Sequence, residues 1–334
     1  MMTTPSAVVD VHCHVVPERF PPYAGKGRDV PWPGMADAHA CHKHVMISGK
    51  VYRTVSESCW SVPRRIADMD AMRIERQALS PMPELLSYWL PAQDAAALLA
   101  YINDQIAEMA ARSPGRFVGL AGVPLQDLDL ALRELERVVK QLGFAGVELA
   151  SHVNGVSIGD ARFAPFFAEA ERVGAAVFVH ALRPAGQDRI VGPFPEQAVC
   201  FPGDVALAAA SMITGGTAAK HKGLRIAFSH GGGAMPILLP RLEHAWNAIP
   251  AAKAGLAEAP SATARRFYYD DLVFDPAAIA FLVRQFGASQ ILVGSDYPFN
   301  MGDPDPVGTL LRAGLDDATV AAITSGNAKR FLRL

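Results

Sequence analysis

The chain has 334 residues, half of them hydrophobic, with 31 Lys and Arg against 33 Asp and Glu and a formal net charge of −2. That balance, with no basic stripe, argues against a nucleic-acid partner, and the lack of any run of about 18 apolar residues argues against a membrane span. The length suits one α/β barrel with an inserted segment, and the apolar content allows a large core.

In chain order, the first apolar run is Ala7–Val11, read as a strand. Roughly sixty residues then pass before the second strand, far more than a βα connection needs. This interval, approximately 16–62, is rich in Pro, Gly and His. It reads as an insertion above the barrel mouth, with short strands around Val45–Val55, inside a single 1–334 domain. Next come the strand Arg76–Ser80, a helix over Asp94–Arg112 and the strand Phe117–Gly122. In Leu128–Leu142 the apolar residues Leu128, Leu132, Leu135, Val139 and Leu142 share one helical face, with Asp127 and Gly143 as start and stop signals. Strand Gly146–Ala150, helix Ala161–Val173 and strand Ala176–His180 follow. A second long connection, Arg183–Gly223, carries a helix near Val205–Ala219. The strand Arg225–Ser229, an Ala-rich surface stretch (Ala251–Ala264) and the strands Phe267–Asp270 and Gln290–Gly294 complete the series. Several strands lack strict alternation, as strands buried on both faces do. Eight of them alternating with helices predict a (β/α)8 TIM barrel.

The chemistry gathers at strand ends. In Asp10-Val-His-Cys-His14, residues two apart point the same way, so His12 and His14 project together. Two imidazoles on one face suit a borderline metal such as zinc; the plainer alternative is a pair of hydrogen-bonded core histidines. His180 ends AAVFVH, His230 ends LRIAFSH and opens into Gly231-Gly-Gly233, and Asp296 ends ILVGSD. On this fold the C-terminal strand ends are the usual address of catalytic groups.

The segments VDVHCHVVP (9–17), VYRTVSESCW (51–60), RFVGLAGVPLQ (116–126), GFAGVELASHVN (143–154), FVH (178–180), SMITGG (211–216), FSHGGGAMP (228–236) and GSDYPF (294–299) resemble the amidohydrolase superfamily. More closely, they resemble the branch of aminocarboxymuconate-semialdehyde decarboxylase and related metal-dependent decarboxylases. The resemblance runs from the first strand to the last. It implies that His12, His14, His180 and Asp296 hold one divalent metal. Zn2+ suits this donor set best, with Mn2+, Fe2+ or Co2+ as alternatives. It implies that His230 is the acid/base that activates the metal water, with Asp296 assisting. Strand four reads GVELA, without the lysine of two-metal relatives, so a single ion is expected. Glu148 on that strand reads as a buried polar group bonded inside the barrel. The family pattern makes Arg53 a contact for a small-molecule carboxylate substrate, and Phe299 of GSDYPF is a further substrate-binding candidate. Arg241 would reach into the neighbouring subunit's site, which implies a homodimer or higher homo-oligomer.

The expected reaction is nonoxidative decarboxylation of a conjugated or aromatic carboxylic acid, as in aromatic catabolism. A metal-dependent hydrolase opening an amide or lactone, a hydratase, and a barrel that binds without catalysis stand as alternatives, since fold alone does not separate them. One motif departs from the family pattern: VHPW is replaced by VHALRP, bringing Arg183 to the pocket border. There it either reads a substrate group or pairs at the surface. His152 and Asn154 are further pocket candidates. Cys41, His42 and His44 lack zinc-finger spacing and read as a solvated part of the insertion. Cys13 reads as packing against the scaffold, and Ser211–Gly216 as helix packing. The four cysteines show no CxxC spacing, and MMTTPSAVVDVH lacks the regions of a secretory signal, so free thiols and a cytoplasmic location are expected.

Overall fold

The computed structural model describes residues 7–334; the start of the chain, read above for a leader, lies outside them. Eight parallel strands form the central sheet: β1 (Val9–Val15), β2 (Arg76–Pro81), β3 (Phe117–Gly122), β4 (Gly146–Ala150), β5 (Ala176–His180), β6 (Arg225–Phe228), β7 (Tyr268–Asp270) and β8 (Ile291–Leu292). Each pairs with the next in chain order. Between β8 and β1 the ladder shrinks to two isolated bridges, Asp10 with Val293 and Cys13 with Tyr297. The result is the (β/α)8 barrel expected from the alternation.

Register explains how one strand serves two purposes. Along β5, Phe178 belongs to the layer inside the barrel, while Val177 and Val179 pack outward beneath the helices. On β1 the pairing with β2 slips between Asp10 and Cys13, where Val11 and His12 together face Ala78 alone. A bulge of this kind shifts the phase of alternation. Val9 and Val11 therefore join the inner apolar layer, and His12 and His14, one step out of phase with them, still meet inside the barrel. Cys13 packs in the outer core, as expected. The inner layer is sealed at the N-terminal end of the barrel by Ala328, Phe331 and Leu332 of the C-terminal helix, Asn327–Leu332.

The helices that matter for the site are α1 (Val62–Ala71), α2 (Ala92–Arg112), α3 (Leu128–Lys140), α4 (Ala164–Val173), α5 (Phe201–Thr214) and α6 (Met235–Ala248). Asp127 caps α3 by accepting from Leu130 N at 3.0 Å, the start signal read from the sequence. Helix α5 begins earlier than its apolar run suggests, because Pro202 stands in its first turn, where proline is favoured. The insertion forms a three-stranded antiparallel sheet, Gly34–Asp37, His42–Ile47 and Lys50–Ser56. It is anchored to the barrel by buried Val45 and Val55. Among the described residues, no helix is long and apolar enough to cross a membrane.

Candidate metal centre

His12 and His14 leave β1, His180 ends β5, and Asp296 follows β8. One ligand atom from each lies within 4.8 Å of all the others, and all four residues are buried. Each imidazole is braced from behind. The Nδ1 of His12 meets Asp270 Oδ2 at 2.7 Å, that of His14 the carbonyl of Pro81 at 3.1 Å, and that of His180 the carbonyl of Ala181 at 2.7 Å. Such acceptors keep the proton on Nδ1 and aim a basic Nε2 inward, the arrangement found around metal-ligating histidines. Asp296 Oδ1 stands 3.1 Å from His14 Nε2 and 3.5 Å from His12 Nε2.

Electrostatics fit a cation. Burial disfavours a charged His12, yet its bond to Asp270 and the nearby carboxylates push it up to about 9. Burial would raise Asp296, but the surrounding imidazoles hold it well below the usual carboxylate range. His14 and His180 are driven down, chiefly by burial. Two buried carboxylates, Asp270 and Asp296, thus concentrate negative charge around the three imidazoles. His12 Nε2 and His14 Nε2 have no hydrogen-bond partner although buried. A divalent ion at their meeting point satisfies both nitrogens and balances the carboxylates, so the donor set fits a single metal.

His230 lies beside this cluster, its ring 5.0 Å from that of His180 and 5.2 Å from that of His12. Its Nδ1 is 2.9 Å from Ser229 Oγ. Burial, then the charge of His12, brings it down to about 4, so it is a neutral base near pH 7. The glycines after it are required sterically. A Cβ on Gly233 would lie 1.9 Å from the Pro202 carbonyl, and φ there is +59°.

Above the cluster opens a cavity of about 480 Å3, lined by His14, His180, Asp296, Arg53, Phe299 and Arg183 among others. Phe299 stacks on His14 at 5.4 Å, and the Arg53 guanidinium lies 4.5 Å over Phe299. Arg183 resolves between its two readings in an intermediate way. It borders the cavity, but its guanidinium pairs with Glu84, Nε to Oε1 at 3.1 Å, and stacks on Trp89.

Arg241 is exposed on α6 and does not line the cavity of its own chain. His152 and Asn154 line a neighbouring cavity, separated from the first by Leu182 and Arg183. Glu148 is buried, but neither carboxylate oxygen has a hydrogen-bond partner; it faces His14 Nδ1 at 3.8 Å, and burial raises it to about 8, so it carries its own proton near neutrality. Of the CHKH cluster, His42 is half-buried and lines the cavity mouth. The residue that sequence reading missed is Asp270, the brace of His12. The signal was available: it ends a strand, as His180 does.

A buried three-imidazole, one-carboxylate cluster at the C-terminal rim of a (β/α)8 barrel fits a single metal site. Residues 9–334 match the amidohydrolase family, and the chain belongs to it. It is 34% identical to the 2-amino-3-carboxymuconate-6-semialdehyde decarboxylase of Dictyostelium discoideum, covering 98% of this chain and 92% of that protein. The 5-carboxyvanillate decarboxylase of Sphingomonas paucimobilis superposes with a TM-score of 0.74 at 28% identity, covering 81% of this chain and 82% of that one. A dihydroxybenzoic acid decarboxylase from Polaromonas sp. JS666, solved with bound manganese and the inhibitor 2-nitroresorcinol, superposes with a TM-score of 0.71 at 26% identity, covering 81% and 85%.

Proposed function

We propose that this chain is a metal-dependent carboxy-lyase that removes CO2, without oxidation, from a small aromatic or conjugated carboxylic acid. The observation that carries the reading is vertical: the four-donor cluster floors a cavity whose wall holds Arg53, and no carboxylate of the chain pairs with that guanidinium among the described residues. An open cation over a metal floor suits an anionic substrate. The decarboxylase relatives, one of them matching nearly the whole chain, support the same reaction class.

His12, His14, His180 and Asp296 would hold the ion. The donor set favours zinc, and manganese in a solved relative makes it the other leading candidate. When bound, the ion supplies Lewis-acid polarisation of the substrate's carboxylate or of an oxygen next to it. The remaining work falls to side chains. Arg53 would hold an anionic or polar group at the outer end, and Phe299, whose ring packs against both His14 and Arg53, would shape the wall beside it. With the proton of His230 on Nδ1 and directed at Ser229 Oγ, Nε2 is free to take up the one proton the reaction consumes, delivered from solvent. His230 would then pass that proton to the carbon from which CO2 departs, conserving charge across the step. Incubating metal-loaded enzyme with 2,6-dihydroxybenzoate and other hydroxybenzoates should release CO2 in step with the decarboxylated ring. Hydrolysed or hydrated product with no CO2 would end the proposal.

The active form is proposed to be a homodimer or higher oligomer. Exposed Leu207 on α5 and Ile237 on α6, the helix that carries Arg241, offer apolar surface for a subunit contact. We take residues 9–334 as one functional unit, with segment 16–62 over the mouth, and we place the protein in the cytoplasm in aromatic catabolism, a setting that suits its four free cysteines.

A further inference from the structure

Three of the four donors in the cluster, His12, His14 and Asp296, flank the β8–β1 junction, where ladder pairing is thinnest. Main-chain bonds there are few: Val11 N to Val293 O at 2.9 Å, Ser295 N and Asp296 N to His12 O at 3.3 and 2.8 Å, and His14 N to Tyr297 O at 2.7 Å. Outside the strands, under α1, lies a buried polar chain. Asp10 accepts from His12 N at 3.0 Å, Ser295 N at 3.1 Å, Ser295 Oγ at 2.6 Å and Gln77 Nε2 at 3.0 Å. Gln77 Oε1 in turn accepts from Arg65 at 3.1 Å, and Arg65 also donates to the carbonyl of His14 at 2.6 Å. Arg65, Gln77 and Asp10 are all wholly buried.

A buried guanidinium and a buried carboxylate are costly unless compensated. Here each meets the other only through Gln77. Direct contact would give a stronger ion pair. What the relay gives instead is reach. Asp10 grips the backbone on either side of the junction, at His12 and at Ser295, and Arg65 grips it at His14. The ring of Tyr297, the residue after Asp296, lies 4.7 Å from the Arg65 guanidinium, and its hydroxyl donates to Asp68 of α1 at 2.8 Å.

We infer that Arg65, Gln77 and Asp10 are positioning residues that hold His12, His14 and Asp296 in mutual register across the barrel junction. They touch neither substrate nor ion and act through the backbone that carries the donors. The inference rests on the metal-centre reading and adds to it. Outer partners of this kind change metal affinity by about 10- to 100-fold when removed.

The test uses the full chain, stripped and reloaded with Co2+, which reports coordination by its visible absorption. Gln77→Leu should weaken Co2+ binding about 10- to 100-fold in competition with a chelator and alter the band shape. Asn103→Leu is the control. Asn103 is equally buried and bonds both main-chain groups of Gly122, but it lies remote from the junction. It should lower the melting temperature and leave affinity and spectrum unchanged. Ser295→Ala, which removes the 2.6 Å bond to Asp10 together with the bond accepted from Tyr297 N at 3.1 Å and the longer one to the His12 carbonyl, all at the same junction, is the milder variant should Gln77→Leu not fold, with a smaller shift in the same direction. The inference is overturned if Gln77→Leu or Ser295→Ala melts earlier while keeping wild-type affinity and spectrum. Wild type that takes up no Co2+ would overturn the metal-centre reading itself, an outcome distinct from the first.

Discussion

The two ends of the barrel interior are built from the same strands and behave as different materials. At the N-terminal end, Val9, Val11, Ala78, Leu120, Phe178 and Leu292 close on Phe331 of the C-terminal helix, with no titratable group among them. A few residues further along β1 and β5 stand His12, His14 and His180, and Asp296 follows β8. The first end contributes apolar burial, the main favourable term in folding. The second holds buried carboxylates and unpartnered ring nitrogens, which destabilise a fold unless something compensates them. The molecule therefore separates what keeps it folded from what makes it reactive, along a distance of one or two side-chain layers.

That separation can be broken from either end. The largest effect is expected at the rim: His180→Ala, or removal of the ion by a chelator, should abolish CO2 release while far-ultraviolet circular dichroism stays native. If chelation unfolded the chain, the rim would be part of the stabilising core and the division would fail. Next, His230→Ala should lower kcat by about 10²- to 10⁴-fold at unchanged metal content by elemental analysis; retained turnover would remove His230 from the chemistry. At the opposite end, Phe331→Ala should cost about 3–5 kcal/mol of stability by denaturant titration, with the KM and metal content of the folded fraction unaltered. A raised KM there would show the ends to be coupled. The smallest effect belongs to the cavity wall. Arg53→Met should remove a charge-assisted contact worth about 1.5–3 kcal/mol, read as a lower kcat/KM for the carboxylate substrate with normal metal binding.

The sequence was legible where one residue type implies one environment. Runs such as AVFVH and GVELA mark strands buried on both faces, and β3, β4 and β5 fall where those runs place them. Strand-ending His and Asp residues were likewise visible, and the four that the family pattern groups lie together in space. What stayed hidden depends on partners distant along the chain. The bulge in β1 comes from its pairing with β2, which no local pattern announces. Asp270 looked like an ordinary strand terminus until His12, 258 residues away, was placed against it. Arg183 offered two readings because its partner, Glu84, lies 99 residues upstream. Arg65 drew no reading from the sequence, and only tertiary structure shows it wholly buried.

The three-stranded sheet of the insertion adds no strand to the barrel, yet it suspends Arg53 over the reactive floor. With Arg53 as the proposed substrate contact, changes along Lys50–Ser56 are expected to alter which acid is admitted while leaving the four-donor cluster in place. A laboratory library confined to that sheet should sample new acid preferences with few dead clones.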